Sequence, residues 1–295
     1  MDGNAKLFVD KMRTILAKFE DLPYSERKKR LSMMQNPFPE KLYHYRGHSG
    51  PNDEQNLHDC LVESQMFLRA PKDFNDPFEC HFQFGQLGET TALHDRLVKA
   101  ATAQGASQKQ IRNICPGILK IGRDEIARFA KEDTNRRFQA MGIFCLCESY
   151  KDILMWAHYG QHHHGVCIEF DVTEGVRTFG LCKKVRYEGS MPMLDYPEKD
   201  LKDLAAPIFR KAEQWCYEQE WRIAIPSGSH QKLEFPPSAV SSIIYGCEAT
   251  SETHEIISRL LKKRCALGYA PVKELELKRS DDDYMLIDVC PVPLE

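Results

Sequence analysis

The segment that begins at Phe144 constrains the fold more than any other part of the sequence. Its first four residues, Phe144 to Cys147, are apolar and predict a strand. Ser149 and Asp152 suit the start of a helix, because short side-chain oxygens can accept hydrogen bonds from the free backbone N–H groups of a first turn. Gly160 or Gly165 is expected to end that helix, and the alternating residues that follow predict a second strand.

Large amphipathic rings are concentrated at this strand–helix junction. Within nine residues the chain carries Trp156, Tyr159 and four histidines, namely His158, His162, His163 and His164. Ligand pockets are commonly lined by aromatic side chains together with a few convergent polar groups. The crowding therefore predicts a ligand pocket, and an aromatic core seam beside a solvated histidine loop is the alternative explanation.

The histidines also raise the question of a metal site. His158 and His162 are four residues apart, a spacing that places two ligands on one helix face. No glutamate follows the first histidine, as the metalloprotease pattern requires, and Gly160 weakens the helix between the two. Cys145 and Cys147 are too close together for the CxxC spacing of a zinc site. We therefore expect no bound metal.

Two polar segments precede the junction. In a short predicted strand, His44 and Arg46 alternate with tyrosines and so share one strand face. Burying that face costs free energy unless a ligand or a carboxylate binds the two side chains, whereas exposing it to solvent has no such cost. Further along, Asn75, Asp76 and Glu79 are pocket candidates in a stretch with two prolines, although a turn whose side chains cap their own backbone would also explain them.

A third polar segment follows the junction. Glu218, Glu220 and Arg222 fall at period two, as they would on one face of a strand that begins near Gln219. A carboxylate flanked by an arginine on one strand face is either a structural ion pair or a catalytic group. Both explanations stay open on the sequence alone.

The distribution of predicted elements indicates the fold class. Strands come in runs with few regular βαβ alternations, which favours an α+β fold with a split β core of short, mostly antiparallel strands and flanking helices. We expect residues 1–40 to form an N-terminal helix and a linker, and residues 41–295 to form a single domain. The helical pattern of about 89–139 is interpreted as an insertion, and a further helix is predicted over about 198–218.

Composition narrows the expected location and partners. The net charge is −3, so no global basic field attracts nucleic acid. No apolar run approaches the roughly 20 residues needed to cross a bilayer, and the N-terminus has no apolar signal segment. The eleven cysteines are odd in number and scattered singly through apolar segments. We therefore expect a cytoplasmic protein with free thiols and no membrane partner.

These motifs, in this order, resemble a bacterial family of domains of unknown function, numbered 2971. The family patterns LYxYR, FNDPFE, FCxSES…MWxHYxxxHxGVCIEF, VxY, WxxExEWR and a strand ending in FG are similar to six segments. These are Leu42–Arg46, Phe74–Glu79, Ile143–Asp171, Val185–Tyr187, Trp215–Arg222 and Ile243–Gly246. The sequence departs at Cys147, where serine is common, and at Tyr245, which replaces phenylalanine. The family has no settled activity, so this resemblance by itself implies no function.

A more distant resemblance is to ADP-ribosyltransferases, which share a split β core and three strand motifs. The first strand carries His or Arg, the second carries Ser, Thr or Tyr followed by a helix, and a late strand carries the catalytic Glu. For this sequence the resemblance implies a catalytic Glu220 and an NAD-binding group made of His44, Arg46, Ser149, Trp156 and Tyr159. Other pocket candidates are Asn75, Asp76, Glu79, His158 and Arg222.

The resemblance implies NAD-dependent ADP-ribosyl transfer or NAD cleavage in a bacterial cytoplasm, in a toxin or phage-defence setting. The nucleotide would be the substrate, a carboxylate near its ribose would stabilise the oxocarbenium ion, and a protein or nucleic acid would be the acceptor. Two other functions use the same residues. One is a non-catalytic nucleotide or small-ligand sensor that tolerates loss of Glu220, and the other is a metal-dependent hydrolase or nuclease that uses Asp76, Glu79, His158 and Glu220.

Overall fold

The computed structural model of the chain describes residues 3–34, 38–50, 52–89, 123–196 and 205–289, with isolated residues between 95 and 113. The α-helices described there are α1 (Gly3–Glu20), α2 (Tyr24–Met34), α3 (Asp53–Leu61), α4 (Arg123–Gln139), α5 (Ile153–Tyr159), α6 (Val176–Phe179) and α7 (Ser251–Ala266). Short 3-10 helices span Pro71–Asp73, Glu213–Glu218 and Pro237–Ala239.

The strands are β1 (Lys41–Arg46), β2 (Gln65–Phe67), β3 (Gln83–Leu87), β4 (Gly142–Cys147), β5 (Val166–Asp171), β6 (Lys183–Lys184), β7 (Arg186–Glu188), β8 (Met193–Tyr196), β9 (Arg210–Ala212), β10 (Glu220–Ile225), β11 (Lys232–Glu234), β12 (Val240–Tyr245), β13 (Lys273–Arg279) and β14 (Leu286–Val289). Eight of them form one sheet in the order β14-β13-β12-β5-β1-β4-β10-β6. Within this sheet β12 and β13 pair in parallel and the other neighbours are antiparallel. The predicted α+β class is confirmed.

The sheet opens between two of its central strands. β1 pairs with β5 along its whole length, and β4 pairs with β10 in the same way. Between β1 and β4, by contrast, the register holds a single pair, Tyr43 with Cys147. Beyond that pair the carbonyl oxygen of Cys145 is bound by a side chain of β1, since it lies 2.7 Å from the Nδ1 of His44. The opening between β1 and β4 is called the split below.

Both faces of the sheet are covered. The larger core packs apolar residues of the sheet against α1, α3 and α7, and it includes Leu16, Leu42, Leu57, Phe144, Ile168, Phe170, Trp221, Ile243 and Ile257. The smaller core on the other face packs Tyr43, Tyr45, Cys147, Cys167 and Ile244 against Met155 and Trp156 of α5. The alternation of side chains along each strand therefore serves two cores, which holds the central strands on both sides.

Local signals position α5 beside the split. Asp152 is the N-cap of this helix, and its Oδ1 accepts from the backbone N–H groups of Leu154 and Met155 at 2.9 and 3.0 Å. Gly160 is the C-cap, as one of the two alternatives predicted. At Gly165 a Cβ atom would lie 2.2 Å from the carbonyl oxygen of Arg46. Only glycine allows this close approach, which fixes the turn against the end of β1.

Three expectations need comment. Residues 24–34, interpreted as part of a linker, form α2; Leu31 is the buried residue of this helix, so its amphipathic signal is weak. The helix predicted over 198–218 is wrong for residues 210–218, which form β9 and a 3-10 helix because Lys211 and Glu218 enter buried ion pairs. In the helical insertion predicted over about 89–139, α4 is described, whereas most of the part before residue 123 lies outside the described residues.

Within the described residues, no helix is both long enough and apolar enough to cross a bilayer.

The burial of β5 in the larger core predicts how a substitution there changes the free energy of unfolding. Ile168 is fully buried in the larger core, so the Ile168→Ala variant should lose about 2–5 kcal/mol of unfolding free energy through lost burial and a residual cavity. The matched control is Leu154→Ala, since Leu154 is 45% exposed and should change stability by less than about 0.5 kcal/mol. Urea unfolding measures both. Equal midpoints for the two variants would contradict the described core.

Candidate functional site

A cavity of about 580 Å³ lies at the split. Its walls come from both strands that separate there, Tyr43 to Arg46 on β1 and Ile143 to Cys147 on β4, and from α5 and the loop after β2. The volume falls within the range of about 300–1,000 Å³ that is usual for small-molecule sites. Of the predicted site residues, those that line the cavity are His44, Arg46, Asn75, Glu79, His158, Tyr159 and Glu220.

Two predicted site residues lie behind the cavity instead of lining it. The Trp156 ring is fully buried in the smaller core, and its Nε1 donates to the carbonyl oxygen of Tyr150 at 2.7 Å. Trp156 was expected to form a wall of the pocket, but its side chain does not line the cavity. Arg222 is also fully buried, and it acts on the site through the carboxylates that it binds.

Two further candidates bind their own backbone neighbourhood. The Ser149 Oγ accepts from the backbone N–H of Lys151 at 3.1 Å. The Asp76 Oδ1 accepts from the backbone N–H of Phe78 at 2.9 Å, which is the turn-capping role weighed for this residue. Neither side chain lines the cavity.

A buried cation links three carboxylates at the cavity wall. The Nζ of Lys211 lies 2.5 Å from Glu79, 2.7 Å from Glu218 and 3.8 Å from Glu220. The Lys211 side chain is 3% exposed, so the loss of its hydration must be offset by these contacts. Its Nζ also lies 4.6 Å from the centre of the Trp215 ring, where a cation–π contact adds to the pairing.

Arg222 completes this network from behind. Its Nε donates to Oε1 of Glu220 and its Nη2 donates to Oε2, both at 2.7 Å, and this two-point pairing fixes the carboxylate plane. The same Nη2 donates to Glu79 at 2.6 Å, and Nη1 donates to the carbonyl oxygen of Ile208 at 2.7 Å. Lys211, Arg222, Glu79, Glu218 and Glu220 are called the charge cluster below.

The charge cluster is not neutral when all its members are ionised. Three carboxylates face two cations, which leaves a net charge of −1 at the wall of the cavity. Burial and the neighbouring Glu220 raise the pKa of Glu218 to about 6, against the opposing pull of Lys211. Burial also acts to raise the pKa of Glu220, but Arg222 and Lys211 outweigh it and hold that pKa below its ordinary value.

Tyr159 connects the charge cluster to the cavity. Its hydroxyl donates to the Oε1 of Glu218 at 2.7 Å and accepts from the side-chain amide of Asn75 at 3.4 Å. Burial and the charge of Glu218 raise the pKa of Tyr159, so the hydroxyl stays protonated and keeps donating. Glu218 is thereby held by one neutral donor and one cation.

His44 offers an unused acceptor. Its Nδ1 lies 2.7 Å from a carbonyl oxygen, which can only accept, so this nitrogen carries the proton. Burial, with Arg46 adding to it, lowers the pKa of His44 well below its ordinary value, and the ring is neutral. Its Nε2 is therefore an acceptor, and it is buried with no partner among the described residues.

Two arginines occupy the cavity wall away from the carboxylates. Arg46 ends β1, and Arg69 is bridged to Ile143 at the start of β4 by backbone hydrogen bonds of 2.9 and 2.8 Å. In the described part of the chain, neither guanidinium makes a hydrogen bond or an ion pair. Burial, with Arg69 adding to it, lowers the pKa of Arg46 to about 10.

Three residues of the site were not predicted. Lys211 lies in the helix predicted over about 198–218, Arg69 belongs to none of the predicted motifs, and Glu218 is predicted to share a strand face with Glu220 without being assigned to the site. Glu218 had a usable signal, because its period-two spacing with Glu220 and Arg222 was visible. Lys211 and Arg69 join through contacts that are distant in sequence, and neither carries a local signal.

The histidines after α5 do not form a metal site in the described residues. There, no three His, Cys, Asp or Glu side chains are grouped so that they could hold a metal ion. His163 stacks on Trp156 with ring centres 6.3 Å apart, and the His164 Nδ1 lies 2.5 Å from the carbonyl oxygen of Glu248. These two histidines thus pack the turn after α5 against its surroundings.

Fold and site together define an α+β protein with a split sheet and a buried, net negative charge cluster beside a cavity. Residues 155–223 match the model of a family described as protein of unknown function (DUF2971). This match supports the resemblance to that family. The matched segment includes Tyr159, Lys211, Glu218, Glu220 and Arg222. No curated protein and no solved structure matches the chain.

The pairing of Glu220 with Arg222 predicts that loss of the Glu220 charge destabilises the protein. Glu220→Gln should lower the free energy of unfolding by about 2–3 kcal/mol, because Arg222 keeps Glu79 but loses a buried charged acceptor. Glu125→Gln is the matched control, since Glu125 is 61% exposed in a surface pair with Arg128 and should change stability by less than about 0.5 kcal/mol. Thermal and urea unfolding report the difference. A loss as small as that of the control would mean that Arg222 does not depend on Glu220.

Proposed function

We propose that the cavity cleaves NAD between nicotinamide and ribose, and transfers ADP-ribose to an acceptor or to water. The observation that carries the proposal is the net negative charge that the charge cluster presents to the cavity. When the bond breaks, its electron pair leaves with the nicotinamide nitrogen, so the ring loses its positive charge and positive charge develops on the ribose. A fixed negative charge in a site of low dielectric constant stabilises that developing charge more than it stabilises the ground state.

Glu218 is the carboxylate that we assign to the reacting ribose. The resemblance to ADP-ribosyltransferases implies Glu220, but both oxygens of Glu220 are bound by Arg222. Glu218 is bound by Lys211 and by the neutral hydroxyl of Tyr159, so less of its charge is compensated. In this proposal Glu220 and Glu79 hold Lys211 and Arg222 in place, and Glu218 faces the substrate and takes the proton of the attacking hydroxyl.

Other residues at the split suit the remaining parts of the substrate. The buried Nε2 of His44 can accept a hydrogen bond from a ribose hydroxyl or from an amide N–H. Phe74 and Tyr159 line the same cavity and offer ring surfaces for nicotinamide. Arg46 is the grip for the rest of the nucleotide that the resemblance implies.

We place this activity in a bacterial cytoplasm, as part of a toxin or a phage-defence system, with a protein or a nucleic acid as the acceptor. The support for the compartment is chemical. Burial raises the pKa values of the Cys60, Cys80, Cys145, Cys147, Cys167 and Cys182 thiols, which keeps them protonated. Free buried thiols of this kind are typical of proteins from reducing compartments.

A non-catalytic nucleotide sensor is the second candidate, and one observation favours it. Every carboxylate of the charge cluster is bound by at least one cation, so the cluster could act as a rigid support for a binding cavity. Such a protein would bind the nucleotide without releasing nicotinamide, and the binding would survive the loss of the Glu218 charge.

The test of the proposed function is nicotinamide release from NAD by the purified chain, with and without cell extract as a source of acceptor. Glu218→Gln should reduce the rate on the order of 100- to 1,000-fold, because the variant loses the charge that stabilises the transition state. Its affinity for NAD should change much less than the rate, since before bond cleavage the positive charge lies on the nicotinamide ring and not on the ribose carbon that faces Glu218. Glu213→Gln is the matched control, because Glu213 is exposed on the same 3-10 helix and lies outside the cavity lining.

The pH dependence follows from the pKa of about 6 of Glu218. Below that pH the carboxyl is protonated and the charge cluster becomes neutral, so the rate should fall as the pH decreases through 6. In Glu218→Gln this limb should be absent from the residual activity. Absence of nicotinamide release by the wild-type chain under all these conditions, with NAD still bound, would replace the transferase with the sensor.

A further inference from the structure

We propose that Arg46 and Arg69 together bind phosphate groups of the ligand, so that the cavity takes a nucleotide that carries a pyrophosphate. Arg69 has no role in the function argued above, and no sequence motif contains it. As a statement about the substrate the inference rests on the proposed function, whereas as a statement about anion binding it can be tested without catalysis.

The backbone places the two arginines on opposite sides of the split. Arg46 is the last residue of β1 and pairs with Val166 of β5. Arg69 is held against the first part of β4 through its two hydrogen bonds to Ile143. Both line the cavity, and each raises the electrostatic cost of the other's charge. A group bound between them would therefore contact both strands that separate at the split.

Asp53 and Asp73 also line the cavity, but neither forms an ion pair with Arg46 or Arg69 in the described part of the chain. The charge of Asp53 acts on Arg46 from a distance, while its carboxylate accepts from the backbone N–H of Gly50 at 2.9 Å. Asp73 accepts from the His230 ring at 2.7 Å and from the backbone N–H of Ala70 at 3.1 Å. Among the described residues Arg46 and Arg69 are thus two guanidinium groups that pair with no carboxylate.

Phosphate is the anion class that this arrangement favours. Two guanidinium groups carry a charge of +2 and present planar forks of N–H donors, which match phosphate oxygens and bind them at two points. The neighbouring His44 is neutral and can only accept at Nε2, so it suits a hydroxyl group next to the phosphate. With the net negative charge cluster elsewhere on the wall, the cavity is polarised for a ligand that is anionic at its phosphates and cationic in another part, first on the nicotinamide ring and then on the ribose.

Isothermal titration calorimetry of the full chain with inorganic pyrophosphate tests the inference. The wild-type chain should bind pyrophosphate more tightly than inorganic phosphate, and ADP-ribose more tightly than either, because only ADP-ribose also reaches the rest of the cavity. Arg69→Ala should weaken pyrophosphate and ADP-ribose binding by about tenfold or more, since a hydrogen-bonded charge partner is lost. Arg69 is exposed, and its bridge to Ile143 uses backbone atoms only, so the melting temperature should not change.

Arg279→Ala is the matched control, because Arg279 is 78% exposed on β13 and lies outside the cavity lining. It removes the same charge from the chain and should leave pyrophosphate affinity unchanged. Equal losses in both variants would assign the effect to overall charge and overturn the inference. Unchanged affinity in Arg69→Ala, or no pyrophosphate binding by the wild-type chain, would also overturn it.

The outcome separates this inference from the proposed function. Pyrophosphate binding that depends on Arg69, without any release of nicotinamide from NAD, would leave the phosphate site in place and remove the transferase. Nicotinamide release whose rate and KM are both unchanged in Arg69→Ala would keep the transferase and remove the phosphate site.

Discussion

The buried pairing of Lys211 and Arg222 with three glutamates is the interaction on which the rest of the site depends. Removing five ionised groups from water is expensive, and only short contacts with nearly complete mutual satisfaction offset that cost. The contacts join the loop after β2, the segment around β9 and the start of β10, three regions that are distant in sequence. They therefore hold one wall of the cavity in place and also set its charge.

The split between β1 and β4 gives this charge a place to act. A continuous antiparallel ladder would close the sheet at this point, but after Tyr43 and Cys147 the two strands separate. The cavity that results has a net negative cluster on one part of its wall and, on another part, two arginines that pair with no carboxylate of the described residues. In the function that we propose, this polarity suits cleavage of a phosphorylated ribosyl compound, because breaking that bond leaves a cationic sugar attached to anionic phosphates.

Local patterns predicted much of the fold. The strand around His44 and the helix capped by Asp152 follow from alternation and capping, which short stretches of sequence specify. The segment around Lys211 was predicted to be a helix from its local pattern, and that prediction is wrong because tertiary ion pairs override local propensity there. Local sequence is similarly limited in predicting the site. A charged residue such as Glu220 is unusual in a strand and is therefore recognised as a candidate. Trp156, by contrast, shows that a large aromatic residue gives the same sequence pattern in a core as in a pocket. Arg69 becomes visible only when the split is known.

The most direct test of this view is a crystal structure of the chain with ADP-ribose, the product that remains after nicotinamide leaves. The pyrophosphate should lie between Arg46 and Arg69, and the ribose carbon that carried nicotinamide should face Glu218. Binding of ADP-ribose outside the split, or with its phosphates against the charge cluster, would contradict both the polarity of the cavity and the reaction proposed for it.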